Sequence, residues 1–200
     1  MDLPRGDDGQ LALDLVSTIR HDGSGGVTDE FETDDQTIRW VAERWPAHTL
    51  ENLDLVLPDR VRSIRRASRA LLARAVKPGP PSRADSHRLM PEGDALAVLN
   101  SAAAAARPSY CYVAEPGRIV VRRDTELTEA GVVVPCLLAL SVLDFLAGPA
   151  AEDLRACQAP RCVRYFLQHH GRQKWCKESC GNRARVAKHV RKRDERTKEE

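Results

Sequence analysis

The sequence predicts a mainly α-helical fold in two parts: a helical N-terminal domain with a small β-hairpin, then a small cysteine-anchored module that ends in a basic helix. Three observations carry this. Trp, Tyr and Phe occur only three times each in 200 residues, so the core must be built from Leu, Val and Ala, which suits helices packed on helices. Long segments free of Pro and Gly carry apolar residues at helical spacing. Four of the six cysteines crowd into residues 157–180 as two close pairs. A chain of this length holds one medium domain and one small one, placed here at residues 1–150 and 151–195, with a charged tail at 196–200.

Leu11, Leu15 and Ile19 share one helical face, so a first helix is expected over residues 10–20, followed by a Gly- and acid-rich loop from His21 to Glu32. Asp34 or Asp35 caps a second helix running to about Arg44, with Ile38, Val41 and Trp45 inward, Trp40 half-exposed and Pro46 closing it. A linker covers about residues 46–57. Pro58 suits the first turn of a third helix that reaches Lys77. Val61, Ile64, Leu71 and Leu72 form its apolar face; Arg60, Arg62, Arg65, Arg66, Arg69 and Arg74 occupy the rest and read as a solvated face paired with nearby acids, a second nucleic-acid surface being the alternative. The prolines at 78, 80 and 81 break the chain. Asp94 to Arg107 is an alanine-rich helix suited to close crossing of a neighbour.

The period then changes. Tyr110 and Tyr112 alternate with Cys111 and Val113, a Glu-Pro-Gly-Arg turn follows, and Ile119 to Val121 return as the second strand of a hairpin. Glu126 to Gly148 reads as the central helix, apolar on nearly all sides, with its regular part starting or kinking near Val134 because of Pro135. Cys111 and Cys136 have no close partner and read as buried small apolar residues.

Cys157 and Cys162 form a C-x4-C pair, Cys176 and Cys180 a C-x3-C pair, with thirteen residues between the pairs. Zn²⁺ prefers a tetrahedron of thiolates at about 2.3 Å, and two short-spaced pairs close one without long-range strain. These four are therefore the expected ligands of one structural Zn²⁺ per chain. The acidic N-terminus lacks an export signal, which argues against disulfides. His169 and His170 lie between the pairs; with four thiolates closing the site, they read as polar loop residues. Gly181 is expected to turn the chain off the metal and Asn182 to cap a basic helix from Arg183 to Arg193. On it, Val186 and Val190 pack on the zinc knuckle while Arg183, Arg185 and Lys188 face a partner, although Arg183 has a competing structural role beside the metal. The candidate nucleic-acid contacts are Asn182, Arg183, Arg185, Lys188, His189, Arg191 and Lys192, with Lys192 and Arg193 best placed for phosphate.

A net charge of +2 hides a sharp asymmetry. Residues 1–154 carry 17 Lys and Arg against 24 Asp and Glu, a net −7, and residues 155–200 carry 14 against 5, a net +9. So dense a basic module is the electrostatic footprint of a polyanion binder. Residues 1–154 hold the helices of the main core, so they are expected to stay folded without the remainder.

Trp175 before Cys176, the two cysteine pairs and the run Cys180-Gly181-Asn182-Arg183 resemble the CGNR zinc finger, a module at the C-terminal end of bacterial proteins regarded as stress-induced transcriptional regulators. LALDLVSTIR at 11–20 resembles the opening of the ABATE domain that usually precedes this finger, where the pattern is closer to L-D-F-V-N-T and Ser17 takes the place of the usual Asn. Leu167-Gln168-His169-His170 stands where an Asp and a stretch rich in Ser, Arg and Asn are usual. The resemblance implies a zinc-dependent, DNA-binding transcriptional regulator whose partner is double-stranded DNA. It leaves room for a small-molecule effector in the N-terminal domain and for a homodimer.

From the residues alone two other readings stand. One is an RNA- or ribosome-associated module that stacks bases on Tyr165, Phe166 and Trp175; the other is a ligand-binding N-terminal domain whose finger mediates protein contacts. No P-loop, nucleophile elbow, H-E-x-x-H or dinucleotide fingerprint occurs, so no enzyme is expected. The longest uncharged run, Ala130 to Leu143, is too short to span a bilayer, and a cytoplasmic protein without a membrane partner is expected.

Overall fold

The computed structural model describes residues 8–22, 24, 26–45, 57–85 and 89–196, the side chains of Lys192 and Arg196 excepted. In order, the elements are α1 (Gln10–Val16), β1 (Ile19–His21), β2 (Val27–Asp29), α2 (Asp34–Arg44), α3 (Leu57–Ala75), α4 (Glu92–Ala105), β3 (Ser109–Glu115), β4 (Arg118–Asp124), α5 (Ala130–Ala147), β5 (Leu154–Ala156), β6 (Tyr165–Leu167) and α6 (Glu178–Arg196). Short 3₁₀ turns lie at Arg83–Asp85 and Pro149–Asp153. Among the described residues the strands form three separate antiparallel pairs, so the mainly α expectation holds.

α5 is the centre. It is apolar on nearly all sides, and α1, α3 and α4 pack around it. By composition Ala130–Ala147 is long and apolar enough to cross a membrane, yet 72% of it is buried inside the fold. Pro135 neither starts nor ends this helix. A proline cannot donate to the carbonyl four residues back, and here that carbonyl, of Gly131, accepts a hydrogen bond from Arg60 Nη1 on α3 instead. Gly9, at φ +73°, caps α1 against Phe145; a Cβ there would lie 2.6 Å from the ring, so both the backbone angle and the close approach call for glycine.

The N-terminal region departs from expectation. The first helix stops at Val16, and residues 19–21 become a strand paired with Val27–Asp29 inside what the sequence presents as a loop. Thr18 Oγ1 donates to the Leu15 carbonyl at 2.7 Å and closes the helix, while the Asp22 carboxylate accepts from the backbone of Ser24 and Gly26 across the hairpin. α2 begins one residue earlier than expected at its cap, where Thr33 and Gln36 form a reciprocal capping box. Trp40, read as half-exposed, is buried at 7% because the hairpin delivers Phe31 beneath it, ring edge to face at 5.3 Å. The linker at 46–57 and Pro46 lie outside the described residues, except for Leu57, which opens α3.

Of the α3 arginines, Arg62, Arg65 and Arg69 are paired with acids as expected, whereas Arg60 and Arg74 donate to backbone carbonyls, and two of the acid-paired three are not solvated. Arg65 and Arg69 are 4% and 3% exposed. Arg65 binds both oxygens of Asp29, donates to Thr18 Oγ1 at 3.0 Å, and lies over the Phe31 ring at 4.6 Å. Burial pushes Asp29 up, but hydrogen bonds from Arg65 and from the Phe31 N–H outweigh it, and its pKa falls below the ordinary carboxylate value of 3.8. A lowered folded pKa means that the stabilisation is fully present above the unfolded value and is lost as pH falls through the folded one. Asp29→Asn should therefore cost about 1–2 kcal/mol at neutral pH, at the low end for a charged pair because the carboxylate is 39% exposed. Thermal melts from about pH 7 to about pH 3 should show the difference between wild type and variant closing in acid; a constant difference would exclude this account.

The hairpin β3–β4 forms as read, with Tyr112 opposite Val121 and Ala114 opposite Ile119. It is anchored at its base by Arg123, 5% exposed and paired with Asp144 on α5. Cys111, expected to be buried, is exposed because the ribbon extends beyond the helices with both faces open; Cys136 is buried in α5 as read.

Candidate metal centre and basic helix

The C-terminal module starts from a strand pair that shares its faces between two cores. Successive strand residues point to opposite sides. Leu154, Ala156 and Tyr165 enter the main core, whereas Cys157, Cys162 and Phe166 gather with Ala159, Cys180 and Trp175 in a second, small cluster. A buried polar network seals the junction. The Tyr165 hydroxyl donates to Asp85 Oδ2 at 2.6 Å, Arg69 Nε and Nη2 donate to the same carboxylate at 2.8 Å each, and Arg69 Nη1 reaches the Val16 carbonyl at 2.6 Å. Ser82 Oγ and Arg69 Nη2 both donate to the Val163 carbonyl inside the cysteine knuckle. Burial, and then the negative Asp85, raises the Tyr165 pKa well above that of a free phenol, so the hydroxyl stays a donor. The module is thus docked on the N-terminal helices, and Ala156 and Tyr165, beyond residue 154, add to the main core.

Cys157 follows β5 directly, and its N–H donates to the Arg164 carbonyl at 2.9 Å. Cys162 N–H closes a turn onto Ala159, with Arg161 at φ +63° in the knuckle. Cys176 precedes α6 and Cys180 lies in its first turn. The four sulfurs lie within 4.8 Å of one another, with Cys162 to Cys176 at 3.7 Å and Cys176 to Cys180 at 3.6 Å. A tetrahedron with Zn–S bonds of about 2.3 Å has edges of about 3.8 Å, so the spacing fits the ion. The donor chemistry fits as well. Hydrogen bonds from Cys157 and Cys176 hold Cys162 far below an ordinary thiol, while sharing that bond pushes Cys157 up to about 11 and raises Cys176 further. Four thiolates this close need a divalent cation between them. His169 and His170 stay outside the cluster, exposed in the intervening loop.

α6 is the main revision. It starts at Glu178, five residues before the expected Arg183, so Cys180, Gly181 and Asn182 are helical. Gly181 makes no turn; a Cβ there would meet Trp175 Cδ1 at 3.0 Å, and the absent side chain lets helix and indole close over the sulfurs. Asn182 is not a cap: its Oδ1 accepts from Arg185 Nη2.

With Cys180 facing the metal, the 100° advance per residue turns Ala184 and Ala187 inward and Asn182, Arg185, Val186 and His189 outward. The burial agrees: Ala184 and Ala187 are half-buried, and the four outward residues are exposed. Val186 and Val190, expected to pack on the knuckle, are 63% and 42% exposed. Arg183 turns back, with Nη2 donating to Cys180 Sγ at 3.1 Å and Nη1 3.0 Å from His21 Nε2 on β1. This is the structural role rather than the partner-facing one. Lys188 and Arg191 are exposed but border a groove floored by Pro160 and Trp175. The side chain of Lys192 lies outside the described residues. Sequence reasoning missed Val186 as a surface residue; the signal was available in the spacing Cys180, Ala184, Ala187, a small-residue stripe that appears once the cysteine is placed on the helix.

Comparison with known families agrees with this architecture. The family model for ABATE, described as "Putative stress-induced transcription regulator", matches residues 9–149, and that for the CGNR zinc finger matches residues 154–193. Both are regulator or zinc-finger types rather than enzyme families. No curated protein matches the chain significantly. The cofactor is one structural Zn²⁺, and the chain belongs to the ABATE family, with a CGNR zinc finger as its C-terminal module.

Proposed function

We propose that the protein is a cytoplasmic transcription regulator that binds double-stranded DNA through the outward face of α6. Cys157, Cys162, Cys176 and Cys180 hold the zinc that aims this helix; residues 1–150 form the regulatory domain, 151–195 the finger and 196–200 a charged tail. The observation that carries the reading is the stripe Asn182, Arg185, Val186 and His189, exposed on a helix whose first turn is tied to the metal cluster. A helix about 28 Å long fits a major groove about 12 Å wide. Arg185 offers the planar fork that pairs with guanine O6 and N7, and Val186 an apolar surface for a thymine methyl. An apolar residue amid cations has little use in holding phosphate alone. The base-stacking reading loses support, since Tyr165 and Phe166 are 3% and 8% exposed and Trp175 packs against Gly181.

Selection of bound sequences from a random duplex pool by the zinc-loaded protein tests this. Arg185→Ala should lower affinity for the enriched sequence by about 1–3 kcal/mol while barely changing binding to random duplex. Lys188→Ala, flanking the groove, should weaken both equally and reduce the salt slope by about 1. A pool that enriches no sequence, or equal losses for both variants on both targets, would leave α6 as a phosphate-holding helix only.

A further inference from the structure

Where α1, α2 and the zinc module meet, a cavity of about 460 Å³ opens, with Asp14, Ser17, Arg39, Glu43 and Arg164 in its wall. Its cations are not all equivalent. Arg20 is paired with Glu30, and Arg44 lies over the Trp40 ring at 3.8 Å while donating to the Trp40 carbonyl. The guanidinium groups of Arg39 and Arg164 hold no hydrogen bond or ion pair with another described residue, although Asp14 and Glu43 share the same wall. Two guanidinium groups in one concavity raise its positive potential, and their fork geometry suits a carboxylate or phosphate. Asp14 has one carboxylate oxygen engaged by Gln10 Nε2 at 3.0 Å, leaving acceptor capacity for a ligand hydroxyl or ammonium. The volume lies in the range of small-ligand sites.

We infer that this cavity binds a small organic anion, a carboxylate or phosphate that also carries a hydroxyl or ammonium group, bridging Arg39 of the N-terminal domain and Arg164 of the zinc module. The consequence for DNA rests on the function proposed above; the binding itself does not. Arg164 lies between the ligand-bearing Cys162 and the core residue Tyr165, and Arg20 in the cavity wall is followed by His21, which contacts Arg183 beside Cys180. An anion held between Arg39 and Arg164 would therefore add a further tie between the N-terminal helices and the zinc module beside the base of α6. This makes the cavity a control point for the helix.

The test is calorimetric titration of the full-length, zinc-loaded protein, without DNA, using inorganic phosphate, succinate and O-phosphoserine at constant ionic strength. Saturable one-to-one binding is expected, tightest for O-phosphoserine, which supplies oxyanion and ammonium together. Arg39→Gln and Arg164→Gln, at exposed and half-buried positions, should each weaken it about tenfold or more, and Arg185→Ala should leave it unchanged. No saturable binding by any of the three probes, or an equal loss in Arg185→Ala, overturns the proposal. Arg39→Gln weakening duplex DNA binding as much as Arg185→Ala does would make the cavity part of the DNA grip and also overturn it. Failure of the protein to bind DNA would sink the proposed function while leaving the anion titration to stand or fall by itself.

Discussion

Cys176→Ser should reduce zinc from one equivalent to near zero and melt α6 while the N-terminal helices remain folded. The finger's own core is small, consisting of Ala159, Phe166 and Trp175 around the four cysteines, so the metal supplies the stabilisation that burial cannot. Structural Zn²⁺ contributes about 10–16 kcal/mol in finger peptides, far more than so few side chains can bury. Apart from the metal cluster, Arg183 ties the first turns of α6 to His21; among the described residues those beyond Ala187 are exposed, and a helix draws most of its stability from packing that this stretch lacks. β5 and β6 should survive in part, because Leu154, Ala156 and Tyr165 belong to the main core. Metal analysis and far-ultraviolet circular dichroism check this, with Cys111→Ser, at an exposed cysteine remote from the cluster, as the control that changes neither. Retention of a full equivalent of zinc and of α6 helicity in Cys176→Ser would remove that cysteine from the ligand set.

Asp85→Ala should be nearly as damaging to the fold as the cysteine change is to the finger. Arg69 has 4% of its side chain exposed, and removing its carboxylate leaves a buried charge without its counter-ion. Breaking such a pair costs about 3–5 kcal/mol, which at this chain length lowers the melting temperature by roughly 10 °C or more. The Tyr165 hydroxyl loses its acceptor at the same time, so the finger should loosen on the N-terminal helices. Tyr165→Phe, which removes one donor and keeps the ring, should cost only about 1 kcal/mol. The double replacement Arg69→Met with Asp85→Leu should recover most of the loss, since apolar side chains of similar size tolerate that site better than half of an ion pair. A single Asp85→Ala variant that melts within about 2 °C of wild type would show that water or another group satisfies Arg69.

Much of this was legible in the residues because it is local. The helices α2 to α5 follow from spacing and breakers within each segment, the β3–β4 hairpin from alternation around Glu115-Pro116-Gly117-Arg118, and the cysteine cluster from two short spacings. Burial of Arg65 and Arg69 was not legible, because their partners Asp29 and Asp85 come from other elements and a helical wheel shows only that arginines lie off the apolar face. The start of α5 before Pro135 was hidden for a similar reason: the Gly131 carbonyl that the proline leaves free is satisfied by Arg60, 71 residues away. The orientation of α6 failed through one local choice, the assignment of Gly181 as a turn, which moved the helix start past Cys180 and rotated the expected inward face onto Val186 and Val190.

By itself the sequence determined the set of four thiolates, the separation of a −7 region (residues 1–154) from a +9 region (residues 155–200) and the helical character of the core, because chelate spacing, charge and periodicity are properties of neighbours along the chain. Tertiary structure decided which side of α6 meets solvent, which arginines are buried, and that the finger shares its strand pair with the main core. Those outcomes depend on contacts between residues far apart in sequence, where one buried ion pair or one ring packed on a glycine outweighs the local preference of the segment that carries it.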